Sequence, residues 1–121
     1  MNSGLNRRKA IARIMVGFIP TMILVNPVKA FSGVLNNNKQ HHILITDLEY
    51  LPKIIKVSIG DRITWTNKDI IPHTVTASDD SWDSKLLNQG EQWHLDITSN
   101  LDLTYYCRYH PLMRAAIEII E

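Results

Sequence analysis

An all-β sandwich or barrel is the fold class that this sequence predicts, and three observations carry it. Past residue 30 the chain is a succession of short runs rich in β-branched and aromatic residues, each cut off by a turn signal. No stretch there keeps a helical period over about ten residues. The 121 residues, 45% of them apolar and 21% charged, suffice for one small core and a single domain. Short strands at this spacing point to an antiparallel sandwich or barrel of about 90 residues.

The first thirty residues stand apart from that pattern. The basic start Arg7, Arg8, Lys9 and Arg13, the apolar run Ile14 to Val25 and the segment Asn26-Pro27-Val28-Lys29-Ala30 follow the order of a secretory signal peptide, with Val28 and Ala30 fitting cleavage after Ala30. Residues 1–30 are accordingly read as a leader for export to the periplasm. Asn6-Arg7-Arg8-Lys9-Ala10-Ile11 resembles a twin-arginine signal but lacks the usual Phe-Leu pair, which leaves the export route open. An uncleaved membrane anchor is the competing reading; against it, the apolar run is shorter than the ~20 residues a spanning helix needs.

The leader holds five of the 13 Lys and Arg and none of the 12 Asp and Glu, so residues 31–121 keep eight cations against twelve carboxylates, a net charge of −4 with His neutral. A mildly acidic domain without a basic stripe is a poor partner for nucleic acid, and its field favours a positively charged partner surface. One cysteine cannot form an intramolecular disulfide, so an exported domain of this kind relies on packing and on bound metal.

In chain order, residues 31–40 are polar and turn-rich and form an N-terminal arm; the arm is placed at 31–42 and the folded domain at 43–121. His42 to Asp47 is the first strand run, ended by Tyr50-Leu51-Pro52. Ile54 to Ile59 is the second, with Ile55, Val57 and Ile59 on one face and Gly60-Asp61 as its turn. Ile63 and Trp65 share a face of the third, which runs into Asn67-Lys68-Asp69. The fourth is His73 to Ala77, followed by a polar connection, Asp79 to Gly90, that contains Trp82, Leu86 and Leu87. Gln92 to Thr98 alternates Trp93, Leu95 and Ile97; Leu103 to Cys107 puts Leu103, Tyr105 and Cys107 on one face; Arg114 to Ile120 closes the chain.

The chemistry-bearing stretch is Tyr105-Tyr106-Cys107-Arg108-Tyr109-His110-Pro111-Leu112-Met113. A buried free cysteine taken alone is most simply a small hydrophobe. Here His110 and Met113 follow at three-residue intervals, so a loop after the strand can bring both side chains over the sulfur. Pro111 biases His110 away from helix, as such a loop requires. His73 starts a strand at an edge of the sandwich, and two strands ending at the same pole deliver His73 beside Cys107. Two imidazoles, a thiolate and a thioether are the donors of a mononuclear blue-copper site. His41, His42 and His94 lack such partners and are read as surface residues. Met113 is the one methionine outside the leader.

Pro72-His73-Thr74-Val75-Thr76 together with Tyr106-Cys107-Arg108-Tyr109-His110-Pro111-Leu112-Met113 resembles the plastocyanin/azurin-like cupredoxins, and the short Cys-x-x-His-x-x-Met loop looks most like the amicyanin type. Val57 to Asn67 and Trp82 to Glu91 are similar to two further family segments. The chain departs from the pattern with Trp82 in place of Phe, Lys85 and Ala115 in place of Gly, and Asn100-Leu101-Asp102 in place of a Pro-Gly turn; none of these is a ligand position. The resemblance implies a Greek-key β-sandwich and one type 1 copper ion held by His73, Cys107, His110 and Met113. It also implies that the backbone N–H of Thr74 bonds the Cys107 sulfur.

Four protein donors and no open position leave a substrate nowhere to bind the metal. The expectation is therefore a monomeric, non-enzymatic periplasmic carrier that passes single electrons between redox proteins. The amicyanin resemblance implies an amine dehydrogenase as donor and a c-type cytochrome as acceptor. Copper delivery or storage is the alternative, and the scarcity of exposed Met and Cys weighs against it. An oxidase or nitrite-reductase module asks for further His clusters and a longer chain.

Overall fold

The computed structural model describes residues 17–25, 33 and 36–121. The chain divides into two units, residues 1–32 and residues 33–121. In the first, the described residues 17–25 form neither helix nor strand, and no helix among the described residues is long and apolar enough to cross a membrane. The basic start, the cleavage site after Ala30 and most of the arm up to residue 35 lie outside the described residues.

The second unit is all-β. Its strands are β1 (Gln40–Thr46), β2 (Glu49–Leu51), β3 (Ile54–Val57), β4 (Arg62–Asn67), β5 (Thr76–Ala77), β6 (Gln92–Asp96), β7 (Thr104–Cys107) and β8 (His110–Ile119). They form two four-stranded sheets, ordered β2-β1-β4-β6 and β3-β8-β7-β5. Alternation places Ile43 and Ile45 of β1, Ile55 and Val57 of β3, Ile63 and Trp65 of β4, and Tyr105 and Cys107 of β7 between the sheets. The polar connection after β5 lends Trp82 and Leu87 to the same core.

Two features of the strand pairing differ from the sequence expectation. The pairing is mixed rather than antiparallel throughout: β1 runs parallel to β4, and β3 parallel to β8. The chain crosses between sheets after β2 and again after β3, so it re-enters the first sheet as β4 in the direction of β1. The second feature is β2, too short to read as a run of its own, which pairs back onto β1 through a turn with positive φ at Asp47 and Leu48. Such turns favour Asn-Gly or Asp-Gly; with Leu48 in the second place the signal is absent. The Asp69 carboxylate compensates by accepting the N–H groups of Asp47 and Leu48 at 2.8 and 3.1 Å.

β1 starts at Gln40, earlier than the sequence pattern suggests, and His41 is not the partnerless surface residue expected of it. His41 is half-buried, with Nε2 2.7 Å from Asp61 Oδ2, whereas His42 and His94 are exposed. Asp61 is 4% exposed and also accepts the N–H groups of Lys39 and Ser58, both at 3.0 Å. One carboxylate thus pins the entry to β1 against the turn between β3 and β4. The Ser58 N–H is the main cause that holds the Asp61 carboxyl down from 3.8 to about 2; burial opposes it, and His41 and the Lys39 N–H assist.

A depressed carboxyl stabilises the fold above its unfolded pKa, and that contribution is lost as pH falls from about 3.8 through about 2. Asp61→Asn is expected to cost about 2 kcal/mol at pH 7. The difference from the parent should shrink toward pH 2. Urea unfolding followed by tryptophan fluorescence at both pH values checks this.

Candidate metal centre

The strand β7 ends with Tyr105 and Cys107 turned inward, 1% and 0% exposed. The sequence suggested a ligand loop after Cys107. Instead β8 begins at once with His110, which pairs with Cys107 across the two-residue turn Arg108-Tyr109. The next partners are Tyr106 and Arg114, so residues 111–113 occupy an irregular stretch of the ladder. Pairing with β3 starts only at Ala116, and Pro111 therefore sits where no ladder bond is asked of it. Leu112 points outward at 97% exposed and Met113 inward at 5%.

His73 arrives from the other side of the pole. The strand expected over 73–77 is confined to Thr76–Ala77, but His73 forms a separate antiparallel bridge with Leu87, exchanging bonds of 3.1 and 2.8 Å. Buried Asn67 closes the intervening loop by donating Nδ2 to the carbonyls of Ile71 and Leu87 at 3.0 and 2.9 Å. His73 is fully buried, and its Nε2 lies 2.8 Å from Asp69 Oδ2. Burial raises the Asp69 carboxyl, yet the N–H groups of Leu48 and Asp47 and the His73 ring outweigh it, and the carboxyl is held below its ordinary value. An ionised Asp69 can only accept, so the His73 proton belongs on Nε2 and the Nδ1 lone pair is left for the site.

His73 Nδ1 lies 3.8 Å and His110 Nδ1 3.6 Å from Cys107 Sγ. The donor atoms of the three residues fall within 4.8 Å of one another. Imidazole nitrogen and thiolate sulfur bind a first-row metal at about 2.0–2.3 Å, which sets donors in a trigonal plane about 3.6–3.8 Å apart. The two nitrogen–sulfur distances match that spacing. The Thr74 N–H donates to Cys107 Sγ at 3.4 Å, the bond that the family resemblance implied.

Sequence reasoning missed two supports of this site. Asp69 stands four residues before His73, and that spacing was the available signal. Tyr50 gave none: it lies on the short β2 and donates its hydroxyl to the Thr74 carbonyl at 2.5 Å. Burial, and after it Cys107 and Tyr105, pushes the Tyr50 hydroxyl above its usual range, so it stays protonated and remains a donor.

Fold and site together define a β-sandwich that carries two imidazoles and a cysteine sulfur at one pole, with a buried thioether in the adjoining strand. Residues 37–120 match the copper binding proteins of the plastocyanin/azurin family. The chain belongs to that family. It is 24% identical over 80 residues to an amicyanin from Paracoccus denitrificans, an alignment that takes in 62% of this chain and 61% of the amicyanin. Among solved structures it resembles a purple cupredoxin from Nitrosopumilus maritimus, with a TM-score of 0.60 and 24% identity over 66% of this chain and 99% of that one. It also resembles a copper-containing nitrite reductase from Thermus scotoductus SA-01, with a TM-score of 0.62 and 19% identity, covering 68% of this chain and 22% of the reductase. Both likenesses are of fold. Copper, the family's metal, suits a soft sulfur and two imidazoles, and Met113 beside them suits a weak fourth donor.

Tyr50→Phe leaves the Thr74 carbonyl without its donor in a buried place. A loss of about 1–2 kcal/mol is expected, seen as a lower urea midpoint at unchanged slope.

Proposed function

We propose that His73, Cys107, His110 and Met113 bind one type 1 copper ion, and that the protein is a periplasmic carrier of single electrons between redox proteins. The observation that carries this reading is the convergence of His73, Cys107 and His110 within 4.8 Å, with both nitrogen–sulfur distances at metal-site spacing, in a chain of a copper-binding family. Copper, when bound, supplies one-electron chemistry by moving between its Cu(I) and Cu(II) states.

The protein's part is to hold the donors still. His73 is fixed by Asp69, and the sulfur by the Thr74 N–H. A site that does not rearrange between oxidation states keeps the reorganisation cost low. Four protein donors leave no position for a substrate, which supports a carrier over an enzyme. Copper delivery or storage, the competing reading, calls for accessible sulfur, whereas Cys107 and Met113 are buried.

The half-buried His110 opens on a groove lined by Leu48, Tyr109, Pro111 and Leu112. Tyr109 is 63% exposed. Through this face a partner approaches the ring edge, in the brief, small-area encounter that redox partners make. An amine dehydrogenase as donor and a c-type cytochrome as acceptor are the partners that likeness to amicyanin suggests.

Cu(II) added to the protein should give an intense sulfur-to-metal visible band that ascorbate bleaches and air restores. Cys107→Ser should abolish it. A colourless copper complex, or a band that survives this substitution, would overturn the assignment. Leu112→Arg should leave the band in place and slow electron exchange with a partner protein at least about tenfold, since one charge placed in an apolar contact costs more than about 1.4 kcal/mol. Stopped-flow mixing reads that rate.

A further inference from the structure

Outside the proposed ligands, four side chains close on one another between the segments that carry His73 and Cys107. Thr76 Oγ1 donates to Asp83 Oδ1 at 3.0 Å, and Thr74 Oγ1 lies 2.9 Å from Thr76 Oγ1. The backbone N–H of Arg108 donates to Thr74 Oγ1 at 3.0 Å, and Arg108 Nε returns to Asp83 Oδ2 at 3.3 Å. The ring begins and ends on one carboxylate. Thr74 and Thr76 are 2% and 0% exposed, so neither hydroxyl has water as an alternative partner.

The order of donors in this ring is dictated by Asp83. Burial raises its carboxyl, but the Lys85 N–H, the Thr76 hydroxyl and Arg108 outweigh that and hold it below its ordinary value. An ionised carboxylate only accepts, which commits the single Thr76 proton to Asp83. The Thr76 oxygen then accepts from the Thr74 hydroxyl, and the Thr74 oxygen is left with lone pairs for the Arg108 N–H. Arg108 directly follows Cys107, and the Thr74 N–H is the donor to the Cys107 sulfur.

We propose that Asp83 is a positioning residue for the Cys107 sulfur, acting through Thr76 and Thr74 to fix the N–H···S contact between the two segments. For its effect on the metal this rests on the copper reading above; the ring itself is formed by the chain alone. The bonded N–H draws charge from the thiolate and so favours the reduced metal. The Arg108 guanidinium contributes little to this, because it is an exposed partner in high dielectric. The buried hydroxyl relay transmits the constraint.

The test uses the full chain and the variants Asp83→Ala, Thr76→Val and Thr76→Ser. In metal-free protein, NMR hydrogen exchange at the Thr74 and Arg108 amides should speed up about tenfold in Asp83→Ala and Thr76→Val, relative to amides of β4, for the loss of a bond worth about 1.4 kcal/mol. Thr76→Ser, which keeps the hydroxyl, should stay within about twofold of the parent. In copper-loaded protein, the equilibrium with a one-electron mediator should shift toward the oxidised form by about two- to tenfold in the same two variants and not in Thr76→Ser. Unchanged exchange at both amides would overturn the proposal. So would acceleration shared by the β4 amides, which marks general loosening, or local acceleration with no shift of the redox equilibrium. If the parent takes up Cu(II) without a sulfur band, the copper reading fails and positioning of the metal site fails with it, while the exchange data still decide whether the ring exists.

Discussion

The metal pole depends on one contact, the approach of the segment at Thr74 to the sulfur of Cys107 across 33 residues of chain. Closing a loop of that length costs about 3 kcal/mol in entropy before any contact repays it. A lone N–H···S bond cannot offset that. The aromatic core beneath it can: Tyr105 meets Tyr50 at 4.7 Å and Trp65 at 5.5 Å, both edge-on, and Trp82 from the long connection packs 6.2 Å from Trp65 and 5.9 Å from Trp93. Burying rings of this size stabilises by about 2–3 kcal/mol each. The connection that contains Trp82 is therefore tied down there, with Asp83 beside the ring bridged to Thr76 and Leu87 further on bridged to His73.

Asp69 shows how little of the local architecture is independent of the site. Its two oxygens accept from the positive-φ turn between β1 and β2 and from the ring of His73. The turn places Tyr50, whose hydroxyl holds the carbonyl of Thr74. The N–H and the carbonyl of Thr74 are thus fixed from opposite directions by residues that no single strand contains. A site held this way has its donor geometry set before metal arrives, and the strain of the turn is offset by bonds that also orient a ring.

What the sequence revealed and what it hid divide along the range of the interactions. Alternation in Ile43 to Ile45, Ile55 to Val57 and Ile63 to Trp65 is local, and it announced the strands and their buried faces. The Cys107, His110 and Met113 spacing is local too, and with His73 it was enough to name the candidate donors. The parallel pairing of β1 with β4 was not legible, because pairing direction is decided by where the chain crosses between sheets. Nor was the role of Asp61, Asp83 or Tyr50: each acts on a residue that tertiary folding brings near, and each resembles an ordinary turn or surface residue in the one-dimensional pattern. His41 was misread for the same reason, since its partner lies twenty positions away.

Folding does not account for the exposed face of the pole, whereas the proposed carrier role does. Leu112 gains nothing for stability at 97% exposed, and Leu48, Tyr109 and Pro111 line the same groove around His110. Scattered apolar residues on a surface need no account, but a group of them around one half-buried ring does. The charges nearest the groove, Glu49, Lys53 and Arg114, lie among its lining residues without a salt-bridge partner among the described residues. Arg108, beside the same turn, is turned back onto Asp80 and Asp83. Under the proposed carrier role, an apolar centre ringed by charges outside any salt bridge suits a partner that arrives quickly and leaves quickly, because the charges act on approach and the small apolar contact holds only briefly.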